Sequence, residues 1–186
     1  MIVRKFVSDS NESNVYLVAC AETREAMLID AGSFPAGLAG FVEANGLRLR
    51  AAFITHNHYD HTDGLPDALA HGVEVVWSEG ARAGGRLARR VGHGASIVLG
   101  RWTGEVRATP GHTPDSLSLV FPGLVFTGDA LFAGSVCGTG TAEAAQQQVD
   151  ALRAHILSLP PEYEIHPGHG PASTVAVEKR FNPFLA

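Results

Sequence analysis

The stretch Thr55-His56-Asn57-His58-Tyr59-Asp60-His61 decides how this chain is read. It sets three imidazoles and one carboxylate within six residues, directly after the apolar run Leu49–Thr55. Imidazole nitrogen and carboxylate oxygen are donors that suit zinc, iron or manganese. In an extended loop, alternation points His56, His58 and Asp60 one way and His61 the other, so one loop can serve two neighbouring metals. A merely polar surface run has no reason to crowd such donors onto the end of a strand.

Three later fragments have the same character. His112 stands in the Pro/Gly turn Thr109-Pro110-Gly111-His112-Thr113-Pro114-Asp115-Ser116. Asp129 ends the run Phe126-Thr127-Gly128-Asp129, and His169 sits in Pro167-Gly168-His169-Gly170-Pro171. Each alone is weak, because turns often carry His or Asp. Together they add three donors at the ends of strands, where sites are usually built.

Around these loops, strand and helix patterns alternate. Ile2–Val7, Asn14–Cys20, Ala26–Asp30, Leu49–Thr55, Glu74–Trp77, Ser96–Leu99, Glu105–Ala108, Ser116–Phe121, Leu124–Thr127 and Tyr163–His166 read as strands. Pro122-Gly123 turns one strand into the next. Helices are expected over Phe34–Asn45, capped by Ser33 and stopped by Gly46, from about Leu65, and over Val175–Arg180. The longest is expected at Ala142–Ser158 behind a Thr141 cap, with Val149, Leu152, Ile156 and Leu159 as its apolar stripe. Glu79–Arg90 reads as a glycine-weakened helix with Arg82, Arg86, Arg89 and Arg90 on one solvated face.

The totals bound the rest. A length of 186 residues suits one domain with a sizeable core, so residues 1–186 are expected to form a single unit. A net charge of -5 argues against general affinity for nucleic acid. No apolar run has the length of a membrane span, and no N-terminal segment has secretory character. The two cysteines, Cys20 and Cys137, make no disulfide framework, and a cytoplasmic setting is the expectation. Oligomeric state is left open.

The motif His56-Asn57-His58-Tyr59-Asp60-His61, followed in order by His112, Asp129 and His169, resembles the signature of the metallo-β-lactamase superfamily. The resemblance implies an α+β fold, the αββα four-layer sandwich, with a metal site at one edge of the sheets. It implies one metal on His56, His58 and His112, and a second on Asp60, His61 and His169. Asp129 would bridge them, with Asp60 and Asp129 as the catalytic carboxylates. Two divalent ions are expected, zinc first, with iron or manganese as alternatives. Asp30, in Ile29-Asp30-Ala31-Gly32, matches a family position that supports the His loop, since ligand imidazoles need their outer N–H fixed.

Within the superfamily the chain looks most like the glyoxalase II branch, the hydroxyacylglutathione hydrolases. Gly128–Ser135, Pro167–Pro171 and the tail Glu178–Phe184 carry that likeness. It implies hydrolysis of a small hydroxyacyl-glutathione-like thioester by a metal-bridging hydroxide. A thiolate leaves easily, because thiol pKa values lie near ~8.5, and no dedicated acid is evident. Tyr59 beside the ligands either assists or only packs.

Two features depart from that branch. Val136-Cys137-Gly138-Thr139-Gly140 lacks the basic residue that helps hold glutathione, and the long C-terminal helical domain of long-form enzymes is not expected. Lys179 and Arg180 would be substitute anion anchors, though a solvated helix end is the plainer reading. Cys137 would line the pocket. The alternative is a persulfide dioxygenase holding one Fe(II) on His56, His112 and Asp129, a facial three-ligand set. Lactone hydrolysis is a further option. A non-enzymatic scaffold would be expected to have lost ligands. His71, His93 and His155 read as surface or locally bonded, and His166 as a local hydrogen-bonding or supporting residue.

Overall fold

Alternating apolar side chains build the first strands, β1 (Ile2–Val7), β2 (Asn14–Ala19) and β3 (Glu25–Ile29). The chain continues through α1 (Ala36–Ala44), β4 (Arg48–Phe53), α2 (Tyr59–Thr62), α3 (Leu65–Ala70) and β5 (Val75–Ser78). Three two-residue strands follow, β6 (Arg82–Ala83), β7 (Arg86–Leu87) and β8 (Arg89–Arg90). Then come β9 (Ser96–Leu99), β10 (Trp102–Ala108), β11 (Leu117–Phe121), β12 (Leu124–Gly128), α4 (Ala142–His155), β13 (Glu164–Pro167), β14 (Ser173–Thr174) and α5 (Val175–Phe181). This computed structural model describes residues 1–80 and 82–185.

Two six-stranded sheets form, in the orders β1-β2-β3-β4-β5-β8 and β14-β13-β12-β11-β10-β9. Period-two alternation sorts their side chains into layers. On β2, Val15, Leu17 and Ala19 face Leu38 of α1 and Leu65 and Ala68 of α3. Tyr16 and Val18 face the second sheet, where Phe121, Phe126 and Leu119 meet Met27, Ile29 and Phe53. On the far side, Leu152 of α4, Ile156 at its C-cap and Val175 of α5 cover Val120, Val125 and Ile165. The result is the expected αββα sandwich.

Topology positions the site. The first sheet is antiparallel from β1 to β3 and parallel from β3 to β8. In the second, β12 and β13 are parallel. Each sheet thus carries parallel strands whose C-terminal ends leave by the same edge. Direct bonds clamp the sheets together there. Asn14 donates from its backbone N to Gly168 O at 2.7 Å and from Nδ2 to Pro167 O at 2.9 Å, and Leu117 N donates to Thr55 O at 2.8 Å.

Three local expectations change. Helix α1 starts at Ala36, with Pro35 rather than Ser33 at its N-cap, because the residue before a proline is pushed out of the helical region. Helix α4 keeps its Thr141 cap, whose side chain accepts from Ala144 N at 3.1 Å, but ends at His155. Glu79–Arg90, whose Ala81 lies outside the described residues, is not a helix. Gly84 and Gly85 take positive φ of 52° and 75°, which turns the chain into the β6–β7 hairpin, and β8 then pairs with β5. The four arginines therefore share no helical face.

Phe126 is fully buried between the sheets, with its ring 5.2 Å from both Tyr16 and His166. Phe126→Ala should lower unfolding free energy by about 3–5 kcal/mol in chemical denaturation, as expected for loss of a buried aromatic ring. A change below about 1 kcal/mol would show that the intersheet layer is not the principal core there.

Candidate metal centre

Every donor picked out in the sequence arrives at the one sheet edge. Four overlapping sets bring their donor atoms within 4.8 Å of one another: His56/His58/His112, His56/His61/Asp129, Asp60/His61/His169 and His112/Asp129/Cys137. His58 Nδ1 lies 3.1 Å from both His56 Nε2 and His112 Nε2. His169 Nε2 lies 3.4 Å from Asp60 Oδ2. Asp129 stands between the groups. Its Oδ1 is 3.3 Å from His61 Nε2, and its Oδ2 is 3.5 Å from His169 Nε2 and 3.9 Å from His112 Nε2.

The side from which Asp60 and His61 act differs from the extended-loop expectation. Tyr59–Thr62 winds into the single turn α2, so Asp60 leaves the side of His56 and His58 and joins His61 and His169. A strand's two-residue alternation does not hold once the backbone turns helical.

The outer nitrogens of three rings are fixed. His61 Nδ1 donates to Asp30 Oδ2 at 2.8 Å, and His112 Nδ1 donates to Gly138 O at 2.7 Å. His56 Nδ1 lies 3.1 Å from Thr55 Oγ1, which itself donates to Asp30 Oδ2 at 2.9 Å. These bonds turn Nε2 of each ring inward, where it can ligate a metal once it carries no proton. Asn11 Nδ2 donates to Asp60 Oδ2 at 2.9 Å, and Ser13 Oγ donates to the Asp60 carbonyl. Thr55, Asn11 and Ser13 were not singled out as supports in the sequence. Asn11 lies in a polar stretch that reads as an ordinary turn, and its role depends on a partner 49 residues away.

Charge explains why a cation fits. His61 Nε2 and Asp129 Oδ1 are buried and lack hydrogen-bond partners among the described residues. Burial opposes the His61 imidazolium, but the carboxylates of Asp30 and Asp129 more than reverse this and push its pKa up to about 10. Burial, then the His61 charge, pulls His56 down to about 4. Burial also opposes ionisation of Asp129, yet the close approach and charge of His61, with His56 and His169, hold it below the usual carboxylate range. Asp60 is likewise held low against its burial, chiefly by the Asn11 hydrogen bond and His61. Metal-free, the cluster keeps a proton on His61 to balance its acids; a divalent cation can take that role and satisfy the unpartnered atoms. The histidines and aspartates form a metal-binding site.

The remaining candidates lie around this ring of donors, with Cys137 at its border. Tyr59 is 61% exposed beside His58. Cys137 Sγ lies 3.9 Å from both His112 Nε2 and Asp129 Oδ2, and burial with the Asp129 charge pushes its thiol up to about 11. Lys179 and Arg180 are exposed on the last turn of α5, Arg180 lying 5.0 Å over the Phe181 ring. His71 bonds Asp67 O at 2.7 Å, His93 and His155 lie 4.5 Å apart with their rings tilted, and His166 packs on Tyr16 and Phe126.

Two outcomes follow from this geometry. A β-carbon at Gly168 would stand 2.1 Å from Asp129 Oδ1 and 2.9 Å from His61 Cε1, so Gly168→Ala should lower bound metal at least about tenfold by elemental analysis, a loss of ~1.4 kcal/mol or more. Normal loading of that variant would contradict the close approach. The second outcome concerns the chelated protein. His61, raised to about 10, contributes stability that is full below its ordinary 6.5 and is lost as pH rises through 10. His56, lowered to about 4, contributes stability present above 6.5 and lost as pH falls through 4. Thermal unfolding of metal-free protein should therefore peak near pH 6.5, with the alkaline fall reduced by metal. A midpoint still rising from there to pH 10 would contradict the charge assignment.

The model of the metallo-beta-lactamase superfamily matches residues 9–169. The chain is 33% identical over its whole length to the mitochondrial persulfide dioxygenase ETHE1 of Mus musculus, of which it covers 76%. It is 34% identical to a hydroxyacylglutathione hydrolase of Actinobacillus pleuropneumoniae, over 84% of this chain and 66% of that one. The solved structure of TTHA1623 in a di-iron-bound form superimposes with a TM-score of 0.81 at 30% identity, covering 98% of this chain and all of that one (100%). With its donors converging at the common sheet edge and the family model spanning most of its length, the chain belongs to the metallo-β-lactamase superfamily.

Proposed function

We propose that the chain is a two-metal hydrolase that cleaves a small thioester, a reaction of the glyoxalase II kind. The observation that carries this reading is the place of Asp129 between the two donor groups, its Oδ2 lying 3.5 Å from His169 Nε2 and 3.9 Å from His112 Nε2. His56, His58 and His112 would hold one ion, Asp60, His61 and His169 the other, and Asp129 both. Bound there, two divalent ions supply Lewis acidity and lower the pKa of water towards ~7. The two carboxylates, Asp60 and Asp129, leave such a pair of ions only half neutralised, so the pocket keeps attraction for a developing oxyanion.

The rest follows from side chains. Asp30, through His61 and through Thr55, fixes ring orientation, so little reorganisation is needed during turnover. Tyr59 is the phenol nearest the donor loop and is largely solvent-exposed. A weakly basic thiolate leaves without needing a dedicated acid, whereas an amine needs a proton. A second reading, a persulfide dioxygenase holding one Fe(II) on His56, His112 and Asp129, draws support from the full-length likeness to the mouse dioxygenase.

Metal quantification on purified protein, run beside assays on a hydroxyacyl thioester and on glutathione persulfide, separates the two. The expected result is about two metals per chain and thioester cleavage. His61→Ala and His169→Ala should each lose about one metal and at least ~100-fold in turnover, a loss of ~2.7 kcal/mol or more in transition-state stabilisation. About one iron per chain, with oxygen uptake on the persulfide and no thioester cleavage, would sink the hydrolase reading.

A further inference from the structure

Beside the metal centre a cleft of about 350 Å³ opens between the Val136–Thr139 segment and α4. Val136, Cys137, Gln148, Val149 and Phe184 line it, and no charged residue does so among the described residues. Ala145 and Phe184 are exposed at its mouth and Thr139 is half-buried, while Gln148 is 1% exposed. The cleft joins the centre through Cys137, whose thiol lies 3.9 Å from His112 Nε2 and Asp129 Oδ2. Its volume is near the low end of ligand pockets, ~300–1,000 Å³, enough for an arm of a substrate rather than a whole large ligand.

Gln148 adds a chemical demand. Its Nε2 donates to Ala130 O at 3.0 Å and to Cys137 O at 3.1 Å, and these two carbonyls fix which end of the amide is nitrogen. Its Oε1 is buried and has no partner among the described residues. A buried acceptor left unmade is costly; it is closed to solvent here, so a donor of the substrate arm meets it only as the side chain turns toward the cleft.

We propose that this cleft receives the non-reacting arm of the substrate, an uncharged and mainly apolar group with one hydrogen-bond donor, such as an amide N–H, for Gln148 Oε1. Identifying that arm as the thiol carrier rests on the thioesterase reading above. Glutathione fits poorly here, because it would bring carboxylates and an ammonium to a cleft without counter-charges. The centre and the cleft together then select a thioester of a neutral, amide-bearing thiol.

Calorimetric titration with two non-hydrolysable thioethers tests this, S-hexyl-N-acetylcysteamine and S-hexylglutathione. The first should bind the metal-loaded protein at least about tenfold more tightly than the second. Ala145→Phe, which fills the exposed mouth without touching a metal donor, should weaken the first at least about tenfold, and Phe184→Ala, which removes the outer wall, should weaken it several-fold. Unchanged thermal midpoints establish that both variants fold. Equal or tighter binding of S-hexylglutathione, or binding of the first probe that neither variant alters, overturns the cleft assignment. Hydrolysis of S-hexanoyl-N-acetylcysteamine is followed separately. Variant-sensitive binding without hydrolysis keeps the cleft and overturns the thioesterase reading; hydrolysis with variant-insensitive binding does the reverse.

Discussion

The carboxylate of Asp30 is the constraint on which the rest of the centre depends. The residue follows β3 directly and lies in the left-handed region, at φ 57°, a conformation that costs a side-chain-bearing residue ~1–2 kcal/mol. Its buried oxygens accept from Thr55 N at 2.8 Å, Thr55 Oγ1 at 2.9 Å and His61 Nδ1 at 2.8 Å. Hydrogen bonds to a charged group contribute roughly 1.5–3 kcal/mol each, so three of them outweigh the backbone strain. One side chain thereby locks the ends of β3 and β4 to the turn α2.

From that lock the electrostatics follow. With its outer N–H committed to Asp30, His61 turns Nε2 towards Asp129, and neither Nε2 nor the Asp129 Oδ1 it faces has a hydrogen-bond partner among the described residues. The fold has buried two carboxylates, Asp60 and Asp129, against a cage of imidazoles. Metal-free, the cage balances its acids with a proton on His61 while His56 stays neutral, because burial and neighbouring charge drive the two imidazoles in opposite directions. A cation removes the conflict, which is why the site is built for one. The sheets supply the rigidity: Asn14 and Leu117 bridge them beside the donor loops, so the loops cannot separate without breaking backbone pairing.

How much of this was legible in the sequence depends on the range of each interaction. The donors His56, His58, His61, His112, Asp129 and His169 and most strands were readable, because motif and period-two alternation are local. The α4 start was readable from Thr141 for the same reason. The turn α2 was not, because one helical turn leaves no periodic trace; alternation alone therefore sets Asp60 beside His56 and His58, whereas the family likeness sets it with His61 and His169, where it stands. The hairpin at Arg82–Leu87 was missed because repeated arginines resemble a helix face. What fixes it is the Gly84–Gly85 backbone and a bond from Gly84 N to Asn57 Oδ1 at 2.8 Å. Gly168 looked like one turn glycine among many; only the closeness of Asp129 gives it a reason to lack a side chain.

The segment Val136–Gly140 shows how one stretch can serve two tasks without conflict. Its backbone belongs to the metal centre: the Gly138 carbonyl holds His112, and the Cys137 carbonyl is held in turn by Gln148. Its side chains belong to the cleft, where Val136, Cys137 and Thr139 form a wall. Carbonyls do not depend on residue type, so side chains here can change without moving His112. The missing basic residue therefore says nothing against the metal site. It bears on the substrate alone, and it turns the likeness to glutathione-dependent relatives into a question about which arm fills the cleft.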